Sequence, residues 1–286
     1  IRLSLVGSEM CIRDSYYSEM WLSSCYMQLG KIKEAQAISP DYYMVPPIDR
    51  RLTVESDRFS ELSNMFAQAG NLERALEYAL RCADIEKQVA GKEHIWYGNS
   101  TIIIGNLYYA LGDSINAEEN YLINKNICKH TYGEYSERYV DALLSLASVN
   151  TDFSMKDGLD KATRYLDEAY SIAHKRYPLL EAQIVNQQSV IAFRNKNYEQ
   201  AKTLMMQALS LCELAEGKTS NNYEILLSNT IDLYQMFGQY DEAITLGQDF
   251  LEACNQANRS DSIPAFIMVK ISQANIAKGD INNALI

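Results

Sequence analysis

Histidine and cysteine are two residue types of this chain that could act as nucleophiles, general bases or metal ligands. The three histidines, His94, His130 and His174, lie far apart, near predicted helix ends and turns. None has a cysteine, serine or carboxylate at a spacing that would form a catalytic pair. The sequence contains no metal-ligand spacing, phosphate-binding glycine loop or nucleophile motif. We therefore predict no enzyme activity, no catalytic or metal-binding residue and no cofactor.

The cysteines favour packing over redox chemistry. Five follow residue 15, and none forms a C-x-x-C pair: Cys25, Cys82, Cys128, Cys212 and Cys254. The last three each lie eleven residues after an alanine that recurs along the chain. The same residue type at one repeated position indicates a small packed side chain rather than a reactive thiol. The odd number argues against a disulfide framework and favours a reducing, cytoplasmic compartment.

The charge balance limits the classes of partner. The chain carries a net charge of −11 at pH 7 and has no run of Lys or Arg. It should repel phosphate and anionic membrane surfaces, so neither nucleic acid nor membrane is an expected partner. No apolar run reaches the roughly 18 residues needed to cross a bilayer. Acidic segments such as NLERALE are predicted to lie on solvent-exposed helix faces.

The recurring alanine reveals an internal repeat. Segments ending in it return every 39 to 45 residues, at Ala35, Ala75, Ala117, Ala162, Ala201, Ala243 and Ala284. On both sides of each segment, apolar residues follow three- and four-residue steps, as in amphipathic helices. Glycine precedes most of these segments, where a chain reversal favours a left-handed residue. Each unit is therefore predicted to be an antiparallel helix pair, with alanine where the two helices cross.

These units resemble the tetratricopeptide repeat. In IGNLYYALGDSINA the matching residues are Ile104, Gly105, Tyr108, Gly112 and Ala117. The long period and the segment EKQVAGKEHIWYGNS are similar to the kinesin-light-chain type, which in bacteria often accompanies CHAT peptidase, kinase or DNA-binding domains. Over residues 16–286, the resemblance implies an all-α fold, a right-handed α-solenoid of about seven antiparallel helix pairs.

Three regions are predicted along the chain. LVGSEMCIRDS resembles a translated sequencing adapter, so residues 1–15 are expected to be non-native. Residues 16–49 should form an irregular first unit with a Pro-rich connector, because Pro40 falls inside its second helix. Residues 50–286 are the array, with units near 50–92, 93–132, 133–177, 178–217, 218–259 and 260–286, the last one truncated. We expect the natural protein to extend beyond this chain.

Besides the first unit, two others depart from the pattern. Unit four lacks the turn glycine and carries the insertion NTDFSMKDG. Unit five has Lys196 where other units have the turn glycine. Pro178 falls in a predicted first turn, where proline is tolerated.

The resemblance implies that the first helices line a concave wall, which is the candidate peptide-binding face. Counting from the shared alanine places these residues on it: Ser60, Asn64, Gln68, Ile102, Asn106, Tyr109, Asn186, Phe193, Arg194, Ser228, Asp232 and Gln235. Asn64 and Asn106 occupy equivalent positions, and an amide there can both donate to and accept from a peptide backbone. The basic residues that charged-clamp members direct at a terminal carboxylate are missing here.

The predicted function is a non-catalytic scaffold that binds a partner polypeptide along this concave face. Two alternatives remain open. The chain could be a sensory or regulatory arm of a larger bacterial signalling protein with a CHAT peptidase, histidine kinase or DNA-binding output domain. It could also be a structural spacer that self-associates end to end through uncapped termini.

Overall fold

The computed structural model describes residues 50–153, 157–257, 263–280 and 283, and these residues form eleven α-helices. In chain order they are α1 Arg50–Gln68, α2 Leu72–Val89, α3 Ile95–Ala110, α4 Ser114–Tyr132, α5 Glu137–Asp152, α6 Gly158–Ala173, α7 Pro178–Arg194, α8 Tyr198–Glu216, α9 Asn221–Met236, α10 Tyr240–Gln256 and α11 Ile263–Lys278. Odd-numbered helices are the first and even-numbered helices the second of each repeat. No strand occurs in the described ranges, so the predicted all-α helical-repeat fold is confirmed. The adapter-like segment, the first unit with Ala35 and Pro40, and Ala284 lie outside the described residues.

Backbone contacts divide the chain into two units, residues 1–107 and 108–286. In the described part of the first unit, α1 packs on α2. Ser63 Oγ donates to the carbonyl of Ala75 at 2.9 Å, and the ring of Phe66 stacks on that of Tyr78 at 5.5 Å between centroids. These contacts fix one helix pair around small and aromatic side chains.

In the second unit, the pairs α5–α6, α7–α8 and α9–α10 pack in succession around two apolar clusters. One cluster lies around Leu143 and Leu166, and the other around Leu227 and Phe250. All four of these side chains are fully buried. Burial of such side chains from both helices of each pair is the main stabilising contribution.

The recurring alanine is fully buried in every described repeat. The exposed fraction is 0 % at Ala75, Ala117, Ala162, Ala201 and Ala243. Such burial is expected of a side chain held between two crossing helices, because only a methyl group fits where the backbones approach. The position therefore sets the spacing within each pair.

The turns inside the pairs α1–α2, α3–α4, α7–α8 and α9–α10 share one hydrogen-bond pattern. In the unit of Gly238, Gln239 N–H donates to the Tyr234 carbonyl at 2.9 Å, and Gly238, at φ +69°, takes the left-handed conformation. The unit of Lys196 has the same closure, with Asn197 N–H donating to the Ala192 carbonyl at 2.9 Å. Lys196 has a φ of +64°, so a residue with a Cβ occupies the strained position.

The first helices keep a constant period, whereas the alanines do not. Helices α3, α5, α7 and α9 end 42 residues apart, at Ala110, Asp152, Arg194 and Met236. The insertion in unit four lengthens the turn between α5 and α6, so Ala162 lies three residues later than this period requires. Positions on α5 must therefore be counted from its neighbouring first helices rather than from Ala162.

Candidate functional site

Polar side chains link neighbouring first helices of the second unit. We call the exposed side that they share the first-helix face; it comprises residues of α5, α7, α9 and α11 and Tyr109 at the end of α3. Gln187 of α7 donates from Nε2 to Ser148 Oγ of α5 at 2.9 Å. Gln235 of α9 donates in the same way to the carbonyl of Lys270 on α11 at 3.0 Å. Such bonds hold successive repeats in a fixed register.

Asp152 connects the ends of three successive first helices. It accepts hydrogen bonds from the Tyr109 hydroxyl at Oδ2 and from Arg194 Nη2, which lies 3.3 Å from Oδ1. Burial, followed by the bond to this carboxylate, raises the pKa of Tyr109, so its hydroxyl remains a proton donor at neutral pH. The ring of Tyr109 also meets Phe153 edge-on at 5.3 Å. Two predicted face residues, Tyr109 and Arg194, are thus brought together by a carboxylate that the sequence analysis did not select.

A second acid–base pair lies between α9 and α11. Lys270 Nζ is 2.5 and 2.6 Å from the two carboxylate oxygens of Asp232. The Lys270 side chain is only 15 % exposed, and its Nζ is 5.4 Å from the centroid of the Phe266 ring. Arg194 and Lys270 are therefore each neutralised by a carboxylate of this chain. Neither is available as a ready clamp for the terminal carboxylate of a peptide.

Large apolar side chains are exposed on the two helices that carry this second pair. Five of them are more than half exposed on α9 and α11: Ile225, Met236, Phe266, Val269 and Ile276. Ile225 and Met236 lie seven and four residues from Asp232, and Phe266 lies four residues from Lys270, which places these three on the same side as the pair. Val269 and Ile276, seven residues apart, flank this side on α11. Clustered exposed apolar residues are typical of interaction surfaces.

The other predicted residues have varied environments. On the first unit, Asn64, Gln68 and Asn106 are exposed, and Ser60 and Ile102 are half-buried. In the second unit Asn186 is half-buried, whereas Ser228 is 7 % exposed and directed into the helix packing. The ring of Phe193 packs against Tyr198 at 5.5 Å and Phe237 at 6.3 Å. Their role in ligand binding stays a prediction.

The sequence analysis missed Ser148, Asp152 and Lys270. No residue of α5 was selected, and counting from Ala162 would have displaced its positions by three residues. A count of 42 residues back from Arg194 would have found Asp152.

One expectation about the histidines was wrong. His174 was expected to have no carboxylate within reach, yet its Nδ1 lies 2.7 Å from Glu181 Oε1. The other oxygen of Glu181 accepts from the backbone N–H of Lys175 at 2.9 Å, and the His174 ring stacks on Tyr170. The bend between α6 and α7 brings these residues together, so the pair braces the bend.

The described residues hold four cysteines, Cys82, Cys128, Cys212 and Cys254, all buried as free thiols. Burial raises the pKa of Cys128 to about 11, so its thiolate form is scarce at neutral pH. No group of three or more potential metal ligands occurs in the described part of the chain. In that same part, no helix is long and apolar enough to span a membrane.

Comparison with known proteins identifies the repeat. Two family models, both described as tetratricopeptide repeat, match residues 57–95 and 180–256. These matches confirm the resemblance to the tetratricopeptide repeat seen in the sequence. No curated protein matches the chain.

Solved structures of low sequence identity share the fold. A kinesin light chain of Podosopora anserina with TPR-like repeats superposes with a TM-score of 0.55 at 18% identity, covering 73% of this chain and 97% of that chain. A Rap protein complexed with competence and sporulation factor gives 0.61 at 12% identity, covering 97% and 85%. A signal-transduction ATPase (STAND) protein of Pyrococcus horikoshii with a tetratricopeptide repeat sensor gives 0.58 at 16% identity, covering 96% of this chain and 41% of that one.

Proposed function

Because this chain carries tetratricopeptide repeats, we propose that it is a non-catalytic scaffold that binds a partner polypeptide on the first-helix face. The observation that supports this most is the set of five exposed apolar side chains on α9 and α11. The Rap protein, which has a similar fold, is bound to competence and sporulation factor. A reducing, cytoplasmic compartment is part of the proposal, since it would keep the four buried thiols reduced.

The proposed mechanism is capture by a surface that is already ordered. The bonds of Gln187 with Ser148 and of Gln235 with the Lys270 carbonyl hold the first helices in place before a ligand arrives. Only the ligand then loses conformational entropy on binding. The apolar side chains supply anchors that lose their water in the complex.

The charges of the face predict the salt response of this binding. Asp152 is paired with Arg194, and Asp232 is paired with Lys270, so neither pair carries a net charge. Affinity should therefore come from apolar contact and amide hydrogen bonds. We expect it to change little with ionic strength, in contrast to binding by an unpaired cationic clamp.

The test begins with peptides selected from a random display library against the full chain. Their dissociation constants are then measured for the wild type and for single charge substitutions at Met236 and Val269. Met236→Asp and Val269→Asp should each weaken binding about tenfold or more, because a carboxylate would remain desolvated at an apolar contact. The double substitution Asn64→Ala, Asn106→Ala tests the corresponding face of the first unit separately.

Leu214→Asp is the matched control. Leu214 is 84 % exposed on α8, a second helix, so its substitution should leave both the fold and the peptide affinity unchanged. Equal affinity of the selected peptides for wild type, Met236→Asp and Val269→Asp would contradict binding at this face. A loss with Leu214→Asp instead would assign binding to the second helices.

A second candidate function is a sensory arm that controls an output domain. It is favoured by the likeness to the STAND protein, in which the tetratricopeptide repeats are a sensor within a longer chain. The discriminating observation is the sequence of the complete gene. An ATPase, peptidase, kinase or DNA-binding domain joined to this array would support the sensory function, and a gene that encodes repeats alone would contradict it.

A further inference from the structure

One position recurs on the first helices of the second unit with three different side chains. Asn150, Ala192 and Tyr234 lie 42 residues apart, at equivalent places on α5, α7 and α9. Each is placed to face the second helix of the preceding repeat. The residue that it faces on that second helix directly follows the recurring alanine. It is Glu118 opposite Asn150, Thr163 opposite Ala192 and Lys202 opposite Tyr234.

Two of these three sites are closed by the chain's own side chains. Asn150 Nδ2 donates to Glu118 Oε1 at 3.1 Å. The Tyr234 ring lies against Lys202, whose Nζ is 5.9 Å from the ring centroid. In both sites a polar or aromatic group from the first helix meets a long charged side chain.

The third site is open. A cleft of about 310 Å³ lies between α6, α7 and α8, and both Ala192 and Thr163 line it. The methyl group of Ala192 occupies the place that carries a phenol ring at Tyr234, and Thr163 is shorter than Lys202. The cleft therefore exists because one repeat lacks the ring that fills the equivalent site of the next repeat.

The lining of the cleft combines an apolar floor with a polar rim of amides and one carboxylate, that of Asp167. Leu166, Ile191 and Ala192 are buried at the floor. Gln188, Asn195 and Gln200 stand around it. Within the described residues, no side chain or backbone group bonds the amide groups of these three.

This chemistry suits a ring that carries a neutral polar group. A cavity of about 150 Å³ already accommodates benzene, and ligand pockets begin at about 300 Å³. An amide both donates and accepts, which matches a phenol hydroxyl or a peptide group. The lining holds the Asp167 carboxylate and no basic residue, so the site disfavours an anionic ligand.

We propose that this cleft is a binding site for a phenol ring, supplied by a tyrosine of a partner polypeptide or by a free phenolic molecule. The ring would take the place that Tyr234 fills in the next repeat, with Leu166, Ile191 and Ala192 beneath it. The amides of Gln188, Asn195 and Gln200 would bond its hydroxyl or the adjoining peptide group. The site is separate from the first-helix face, because Ala192 lies about 200° around α7 from Arg194.

The test is a titration of the full chain with p-cresol and with N-acetyl-tyrosinamide, followed by calorimetry or by NMR chemical shifts. Both ligands should bind the wild type saturably. Ala192→Tyr should fill the cleft with a ring equivalent to that of Tyr234 in the next repeat. The affinity for both ligands should therefore fall about tenfold or more. Circular dichroism and the melting temperature report whether this variant folds. Thr163→Lys, at an exposed position, is a second variant that should narrow the cleft.

Two controls separate this site from other surfaces. Gln207→Tyr adds a ring at an exposed position of α8 outside the cleft and should leave binding unchanged. Val269→Asp should also leave it unchanged, so the cleft and the first-helix face can fail independently.

The outcomes decide the proposal and the source of the ring. Saturable binding of both ligands supports a polypeptide tyrosine, whereas binding of p-cresol alone supports a free phenolic molecule. The proposal is overturned if neither ligand saturates by about 10 mM, which corresponds to a weaker interaction than about 3 kcal/mol. It is also overturned if folded Ala192→Tyr and Thr163→Lys bind as the wild type does.

Discussion

Two positions of the repeat differ sharply in how much variation they tolerate. Where the two helices of a pair cross, the described repeats all have a fully buried alanine. Where a first helix meets the preceding repeat, Asn150, Ala192 and Tyr234 succeed one another. At the crossing, the backbones themselves approach, so only a methyl group fits. Between repeats, side chains alone fill the space, and a change on one helix can be matched on the other.

The comparison explains where binding sites can arise in such a chain. A larger or smaller residue at the crossing would alter the spacing of a whole pair. At the position between repeats, by contrast, Glu118 bonds Asn150 and Lys202 lies on Tyr234, so the packing is closed by different chemistry each time. At the third such site, neither Ala192 nor Thr163 is large enough to close the packing between the repeats. The cleft is therefore a local change that leaves the fold intact.

The largest expected effect is at the crossing. Ala243→Leu should lower the free energy of unfolding by about 3 kcal/mol, because three added carbons must enter a fully packed site. Ala243 is 0 % exposed within the apolar cluster around Phe250. Urea unfolding of the purified variant measures the loss.

Ala110→Leu is the control for this prediction. Ala110 is exposed at the end of α3, and its substitution should change the free energy of unfolding by less than about 0.5 kcal/mol. Similar losses in the two variants would show that the alanine at 243 is not specially constrained, and the comparison would fail.

The next effect is at the position between repeats. Tyr234→Ala should remove the ring that covers Lys202 and lower the free energy of unfolding by about 2 kcal/mol, less than for a fully buried ring. It should also open a second cleft equivalent to the one at Ala192. Calorimetric titration with p-cresol should then show two binding sites instead of one.

Tyr135→Ala serves as the matched control, because this tyrosine is 61 % exposed. It should change neither the stability nor the number of sites. If Tyr234→Ala creates no second site, the open cleft depends on the amide rim rather than on the missing ring.

The constrained positions were the ones that could be predicted from the sequence. Ala75, Ala117 and Gly112 follow from local geometry, in which a crossing requires a methyl group and a turn favours glycine. Their residue types therefore repeat and can be recognised without coordinates. The kind of fold, with its helix pairs and turns, was predictable for the same reason.

The site residues were harder to predict because their partners lie in other repeats. Asp152 bonds Tyr109 and Arg194 only because three first helices end in the same register. Counting from Ala162 misplaces that register by three residues. Lys270 was missed although Asp232 was selected, since no local pattern indicates which residue of α11 lies opposite it. The cleft at Ala192 follows from a ring that is missing, and a missing ring leaves no pattern in a single repeat.

The smallest effect tests the turn that leads into the open site. Lys196→Gly should raise the free energy of unfolding by about 1 kcal/mol, because glycine adopts the left-handed conformation without the clash of a Cβ. Gly238→Lys should lower it by about the same amount, since it introduces that clash in the equivalent turn of the next repeat. Both turns are closed by the same backbone hydrogen bonds, so the exchange isolates the conformational term. The two substitutions should shift the urea midpoint in opposite directions. If Lys196→Gly instead destabilises the protein, the lysine side chain stabilises the turn beside the cleft by more than the backbone strain costs.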